Sequence, residues 1–413
     1  MKFVNNIALA LALLPAAANC MAVPLDLTKD LEFAPNSNDS PGAEAINEVA
    51  ASDPLIRTMH LLENGKIVSS YVRDDVDPEV PWMSWSVTKS YVGLILGLML
   101  QDGSLESLDL TLGDLFPDES LWAGASDVDF RKNVSILELL TMTSGLISPP
   151  VDPNVDPNVS MMASFDGGTD GGASLADSLA FPAIGPKGEF SYLGTSNIMS
   201  YVIKNKTGMS PREYLAKNVL PSLGMDDSEI GWWKNADGME YAYHGIELTP
   251  AQMAKFGLLY MQMGVTGPDN KSLVPAEWIE ASTSVQVQDL PVPFDMSTYG
   301  YFFWGVAGNT IWSSLGAGGQ DIYIDSNNDK IGIVQRDFNP LNPLEGNLMH
   351  VGALMNPNLS FEKEGGEEPV PEKDGGEKPV PETVPETETE LSSASALATG
   401  FALAGAVVAP LLL

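Results

Sequence analysis

The sequence predicts an α/β protein: an antiparallel sheet built from N- and C-terminal strands, flanked by helices, with a mostly helical inserted subdomain. Three observations carry this. Strand-like runs lie near both ends of the body, at 55–72 and 299–335, and helical patterns fill much of the interval between them. Tight-turn residues join the strand-like runs at each end. The chain has 413 residues, 44% of them apolar, enough for one large domain or two intimate subdomains around a substantial core.

The elements follow in order. Leu55–Leu62 and Lys66–Val72 flank Glu63-Asn64-Gly65, a strong hairpin signal. An almost wholly apolar run, Ser90 to Gln101, reads as a buried helix that stops at Asp102-Gly103. Gly103 to Leu115 reads as loop and short turns, and Asn133 to Met142 as a short helix before Ser144-Gly145. Ile147 to Gly172, dominated by Pro, Asp, Asn, Gly and Ser, reads as a long surface loop placed to act as a lid. Helices are expected over Ser196–Thr207, Pro211–Leu220 and Pro250–Gly264. Tyr299–Val306, Asp321–Asp325 and Lys330–Gln335 are strand-like. Asp325 to Lys330 has a calcium-loop look, but Lys330 stands where the sharp-turn glycine belongs and Arg336 where the bidentate acid belongs, so it reads as a hairpin turn.

The ends of the chain have a different character. Lys2 followed by Ile7–Leu14 and a small-residue stretch reads as a signal peptide over 1–22, before a polar leader over 23–54. Cys20 is the only cysteine, so no intrachain disulfide forms, and Asn19 before it fits a lipoprotein site poorly. After the main domain, taken as 55–360, residues 361–391 form a Pro/Glu/Gly-rich, acidic linker with the composition of a disordered segment. Small residues and an apolar tail over 392–413 match a GPI-anchor signal or a plain C-terminal membrane anchor. Sequons at Asn38, Asn133, Asn158, Asn205, Asn270 and Asn358 agree with an extracellular glycoprotein. The net charge of −34, from 55 acids against 21 bases, excludes a nucleic-acid partner and leaves the C-terminal anchor as the only expected membrane contact.

The chemistry is limited by what is scarce. Only His60, His244 and His350 are present, without metal-ligand spacing, and there is no Gly-x-Ser-x-Gly elbow and no phosphate loop. No metal or other cofactor is therefore expected. Ser86-Val87-Thr88-Lys89 opens the apolar helix, and serine and lysine three apart share one face of its first turn. A desolvated lysine is a base for a hydroxyl nucleophile. The motif alone is also met by an N-capping serine with a solvated lysine.

Further motifs agree in order. Trp85-Ser-Val-Thr-Lys-Ser90, Leu139-Leu-Thr-Met-Thr-Ser-Gly145, Gly188-Glu-Phe-Ser-Tyr192 and Gly316-Ala-Gly-Gly-Gln320 together resemble the serine β-lactamase and penicillin-recognising superfamily. The resemblance spans roughly Leu55 to Asp337 and is nearest to the class C-like esterase and 6-aminohexanoate-dimer hydrolase branch. It implies a β-lactamase-like fold, an acyl-accepting Ser86, and Lys89 as the group that takes or relays its proton. It also implies Tyr192 as general base or leaving-group proton donor, with nearby Lys89 lowering its pKa, and an oxyanion hole from the backbone N–H groups of Ser86 and of Ala317 on an edge strand. Apart from the resemblance, Tyr192 reads first as a tyrosine packed in the core.

Two departures shape the expected substrate. After Tyr192 come Leu193-Gly194, not the usual polar pair. The third-motif region, with Ser314, Gly316 and Gln320, has Ser314-Leu315-Gly316 where the family carries a cation, a hydroxyl and glycine. Without the cation that holds a substrate carboxylate, the expectation shifts from β-lactams to small esters or simple amides. The same departures suit a catalytically silent surface binding or structural protein, and the retained Ser86/Lys89 pair weighs against it.

Overall fold

The computed structural model describes residues 23–35, 41–147, 174–180, 182–192, 197–235, 237–290, 296–306, 308–339 and 354–355. The expected signal peptide, linker and apolar tail, and the 147–172 loop apart from Ile147, lie outside them, as do Cys20, Thr195, Ser196 and His350.

The Asn64-Gly65 turn, with φ of 48° and 75°, has the left-handed backbone that a two-residue hairpin requires. It joins β1 (Ile56–Glu63) to β2 (Lys66–Val72). β1 also pairs antiparallel with the last strand of the body, β12 (Lys330–Arg336), so the two ends of the domain meet in one sheet, as the sequence predicts. The sheet has seven strands in the order β2-β1-β12-β11-β10-β9-β8, where β8 is Thr298–Tyr299, β9 Trp304–Val306, β10 Ile311–Gly316 and β11 Gln320–Asp325. Its pairings are all antiparallel.

One expectation needs correction. The strand carrying the third motif is not at an edge: β10 lies between β9 and β11. It pairs with β9 only through Ile311–Ser313, so its last residues extend past that neighbour. The polar leader contains a helix. α1 (Pro41–Ser52) packs on β1 and β2 through the fully buried Ile46.

α2 (Val87–Asp102) is buried from Val87 through Met99, which explains an apolar run with no polar face. It packs on β10 and β11 beside the helix Pro250–Met261, where Tyr91 stacks on Phe256 with ring centroids 4.1 Å apart. Gly97 is required within α2, since a Cβ there would enter the Trp278 ring. Gly103 ends the helix at φ 77°, where a side chain would be strained. The segment between the terminal strands supplies the helices Ile136–Leu140, Ile198–Thr207 and Pro211–Asn218. It also contains two small antiparallel pieces. β3 (Trp82–Met83) pairs with β7 (Ile246–Leu248), which pairs with β6 (Gly231–Trp232), and β4 (Leu146–Ile147) pairs with β5 (Ala183–Ile184).

Candidate active site

Ser86 sits in the turn between β3 and α2, at the start of the helix. Backbone ties hold this turn. Ser84 N donates to Ile246 O (2.9 Å), Ile246 N donates to Thr88 Oγ1 (3.1 Å), and Thr88 Oγ1 donates to Trp85 O (2.6 Å). Between these ties Trp85 is forced to φ 47°, a left-handed conformation that costs a bulky residue on the order of 1–3 kcal/mol. Its indole packs on Ala317 and on Phe338, with ring centroids 4.6 Å apart. Gly316 is needed at this junction because any Cβ would collide with the Ser84 carbonyl oxygen. The end of β10 therefore rests directly on the residues preceding Ser86.

Lys89 is 1% exposed. Its Nζ lies 2.9 Å from Ser86 Oγ and donates to Tyr243 O at 2.9 Å. Burial pushes its pKa well below the ordinary lysine value and so favours the neutral amine. Tyr192, 2% exposed, presents its hydroxyl to Ser86 and to the Trp304 side chain. Burial raises its pKa to about 12, and those two hydrogen-bonding contacts act in the opposite direction. The expected lowering by a Lys89 cation is thus reversed. The same desolvation that disfavours the charge on the lysine keeps the tyrosine a phenol, although Nζ stands only 4.8 Å from the Tyr192 ring centroid.

Ser86, Lys89 and Tyr192 are therefore brought together. The third-motif residues are used differently. The Ser314 hydroxyl is buried and hydrogen-bonded to Ser90 Oγ on α2 at 2.7 Å, while Ser90 Oγ donates to Phe302 O at 2.7 Å. Gln320 is fully buried; its Nε2 donates to Arg336 O and its Oε1 accepts from Arg336 N. Arg336 is paired with Asp53 at 2.7 Å. Ala317 is buried beside Trp85.

Sequence reasoning missed the Tyr241–Gly245 segment. Its Tyr243 carbonyl anchors Lys89. His244 is buried among the rings of Tyr243, Tyr241, Trp85 and Trp233, with centroids 4.3, 4.6, 6.1 and 6.1 Å away. Burial, and then proximity to Lys89, depress its pKa to about 3. The aromatic density around a histidine and Gly245, at φ 104°, was the available signal. His60 lies elsewhere, on β1, hydrogen-bonded to Ser70 Oγ at 2.9 Å. Among the described residues no group of three or more His, Cys, Asp or Glu is placed to hold a metal ion.

A family model described as Beta-lactamase matches residues 58–335, more than half of the chain. The chain belongs to the beta-lactamase family. It is a serine hydrolase of that family. Solved structures with this fold include a protein assigned as a 6-aminohexanoate-dimer hydrolase from Bacillus anthracis, with 16% identity and a TM-score of 0.59 over 77% of this chain and 86% of that one. The octameric penicillin-binding protein homologue from Pyrococcus abyssi has 19% identity and a TM-score of 0.55, over 73% and 74% of the two chains. A penicillin-binding protein homologue from Caulobacter crescentus has 15% identity and a TM-score of 0.54, over 75% and 94%. At these identities the likeness to this beta-lactamase family member is one of fold. No curated protein sequence gave a match.

Proposed function

We propose that this hydrolase cleaves esters or simple amides through an acyl-enzyme on Ser86. The observation that carries the reading is the desolvated Lys89 amine 2.9 Å from Ser86 Oγ. One amine hydrogen is committed to Tyr243 O, and the lone pair of the neutral amine is available to the Ser86 proton. As Oγ attacks the carbonyl, the Oγ proton passes to Lys89 Nζ. The backbone N–H groups of Ser86 and Ala317 receive the developing oxyanion. Tyr192, held as a phenol, donates its proton to the leaving group and is reprotonated from Lys89. Water then releases the acyl group by the same transfers in reverse.

Ser314 in place of the family's cation supports a substrate without a carboxylate at that position. We also propose that the protein is secreted and held at the cell surface by the 392–413 tail, from the composition of its two ends. Release from intact cells by a phosphatidylinositol-specific phospholipase tests the GPI form of that anchor.

The catalytic reading is tested with Ser86→Ala and a panel of short-chain esters. Turnover is expected to fall by ~10³-fold or more, together with loss of fluorophosphonate labelling. Unchanged turnover in Ser86→Ala overturns the reading. An inert, unlabelled wild-type protein points instead to a silent surface binding or structural role.

A further inference from the structure

Tyr192 belongs to no helix or strand, yet it is buried and its ring centroid lies 4.8 Å from Lys89 Nζ. Its place must be fixed by something other than regular structure. The residues before it, Gly185 to Ser191, are held by Leu139-Leu-Thr-Met-Thr-Ser-Gly145, a motif that supplies no group to the reaction itself. Three carbonyls of that motif accept in succession. Gly185 N donates to Gly145 O at 2.7 Å, Gly188 N to Thr143 O at 2.8 Å, and Ser191 N to Met142 O at 2.8 Å. The last of these bonds is one residue from Tyr192. β4 and β5 continue the same antiparallel pairing away from the site.

The motif is built to present those carbonyls. The helix Ile136–Leu140 ends in a Schellman arrangement, in which Met142 N donates to Leu139 O (3.3 Å) and Thr143 N to Glu138 O (2.8 Å). Met142 holds the left-handed position, at φ 59°, where glycine is usual. The chain thereby leaves the helical run, and the Met142 carbonyl is left to accept from Ser191 N. The Thr141 hydroxyl donates to Leu137 O at 2.9 Å, which uses its single proton. The Thr143 hydroxyl, 2.8 Å from it, must then be the donor between the two threonines, and the turn is tied. Gly145, at φ 74°, lies against the opposite segment. A Cβ there would stand 3.0 Å from Lys187 Cα and Gly185 O, and 2.8 Å from Phe130 Cζ.

We propose that Leu139–Gly145 is the positioning segment for Tyr192, and that Thr143 and Gly145 affect the reaction only through the Tyr192 hydroxyl. This rests on the acyl-enzyme reading above, in which that hydroxyl gives its proton to the leaving group. The phenol must meet the leaving atom within hydrogen-bond reach, and a misplacement of about 1 Å can cost on the order of 10²-fold. The segment sets that reach through the bond from Ser191 N to Met142 O.

The test is a double-variant cycle on kcat/KM for ethyl acetate, whose leaving oxygen needs a proton. Tyr192→Phe is expected to lose ~10²-fold or more. Gly145→Ala, which pushes the 185–187 segment away, should lose about 10- to 100-fold. The Gly145→Ala/Tyr192→Phe double variant should lie within about 2-fold of Tyr192→Phe, because the misplaced hydroxyl is already gone. A segment that only holds the fold together would instead give losses that multiply, and that result overturns the inference. So does wild-type turnover in Tyr192→Phe or in folded Gly145→Ala.

If Gly145→Ala does not accumulate as folded protein, Thr143→Val decides. It keeps the shape and removes the tie to Thr141, so a loss of about 3- to 10-fold is expected with Tyr192 present and none in Tyr192→Phe. Thr143→Ser, which keeps the hydroxyl, should restore the activity. Equal losses in both backgrounds, or no rescue by serine, reject the positioning role. Ser86→Ala separates the two levels: activity persisting there refutes the acyl-enzyme itself, whereas an inactive Ser86→Ala with multiplying losses refutes only the role of the segment.

Discussion

The start of α2 and the end of β10 abut, yet they treat their polar residues in opposite ways. At the start of α2, Lys89 is buried and still directed at Ser86 Oγ, 2.9 Å away. At the end of β10, Ser314 is just as buried but turns to Ser90 and fastens the sheet to the helix. Both places exclude water. In one, desolvation lowers the pKa of a lysine, which the proposed reaction uses; in the other, a hydroxyl with its partner satisfied is structural. A motif position is thus defined by what its side chain faces, not by its polarity or burial alone.

The largest effect that would break this contrast is at Lys89. Lys89→Met should lower kcat/KM by ~10³-fold or more in the ester assay, nearly as much as loss of Ser86. It should also change how stability depends on pH. Folded Lys89 binds its proton less readily than the unfolded side chain, whose pKa is near 10.5. The unfolded state therefore binds more protons below that value, and stability rises with pH from the depressed folded pKa up to about 10.5. Denaturant melts across this range should show the rise in the wild type and a shallower one in Lys89→Met. In the wild type, kcat/KM should fall as acid protonates Lys89.

Next comes the contact between the two regions. Gly316→Ala places a methyl group against the Ser84 carbonyl and must push β10 away from the turn that carries Ser86. Activity should fall by at least ~10-fold, from displacement of the Ala317 N–H as well as from lost packing. A near-native kcat/KM in that variant would detach the strand end from the oxyanion hole.

Ser314→Ala should be milder and of the opposite kind. It removes one buried hydrogen bond, so about 1 kcal/mol of stability should be lost, with kcat/KM within about 3-fold of the wild type. A large loss of activity without loss of stability would place Ser314 in the reaction.

The smallest effect lies at the histidines. Burial pushes His60 down to about 4 and His244 to about 3, from an ordinary 6.5. Their unfolded forms take up protons first as acid is added. Stability should therefore be lost as pH falls from about 6.5 toward 4, and His60→Gln should flatten part of that slope in thermal melts.

Much of this was legible in the sequence because it was local. The Asn64-Gly65 turn, the apolar α2 and the Ser86/Lys89 spacing are each set within a few residues. β10 was harder to read. Its Trp312-Ser313-Ser314 segment looks polar, but Ser313 and Ser314 are buried in the sheet, where Ser314 is satisfied by a helix hydroxyl far along the chain. α1 was hidden in a leader rich in polar and small residues. The state of Tyr192 was misjudged because its pKa depends on burial shared with Lys89, and spacing carries no record of burial.

The pairing of β1 with β12 has a consequence for how the molecule comes into being. The sheet cannot close until Arg336 has been made, and Ile56, its partner in register, is made near the start of the domain. Topologies dominated by such distant pairings fold slowly. Until β10 arrives, the apolar surface of α2 has no sheet to cover it and Trp85, next to Ser86, has no Ala317 to pack on. On the proposed reading, a nascent or truncated chain thus carries Ser86 without the means to use it, and hydrolytic competence arises only as the body of the chain is completed.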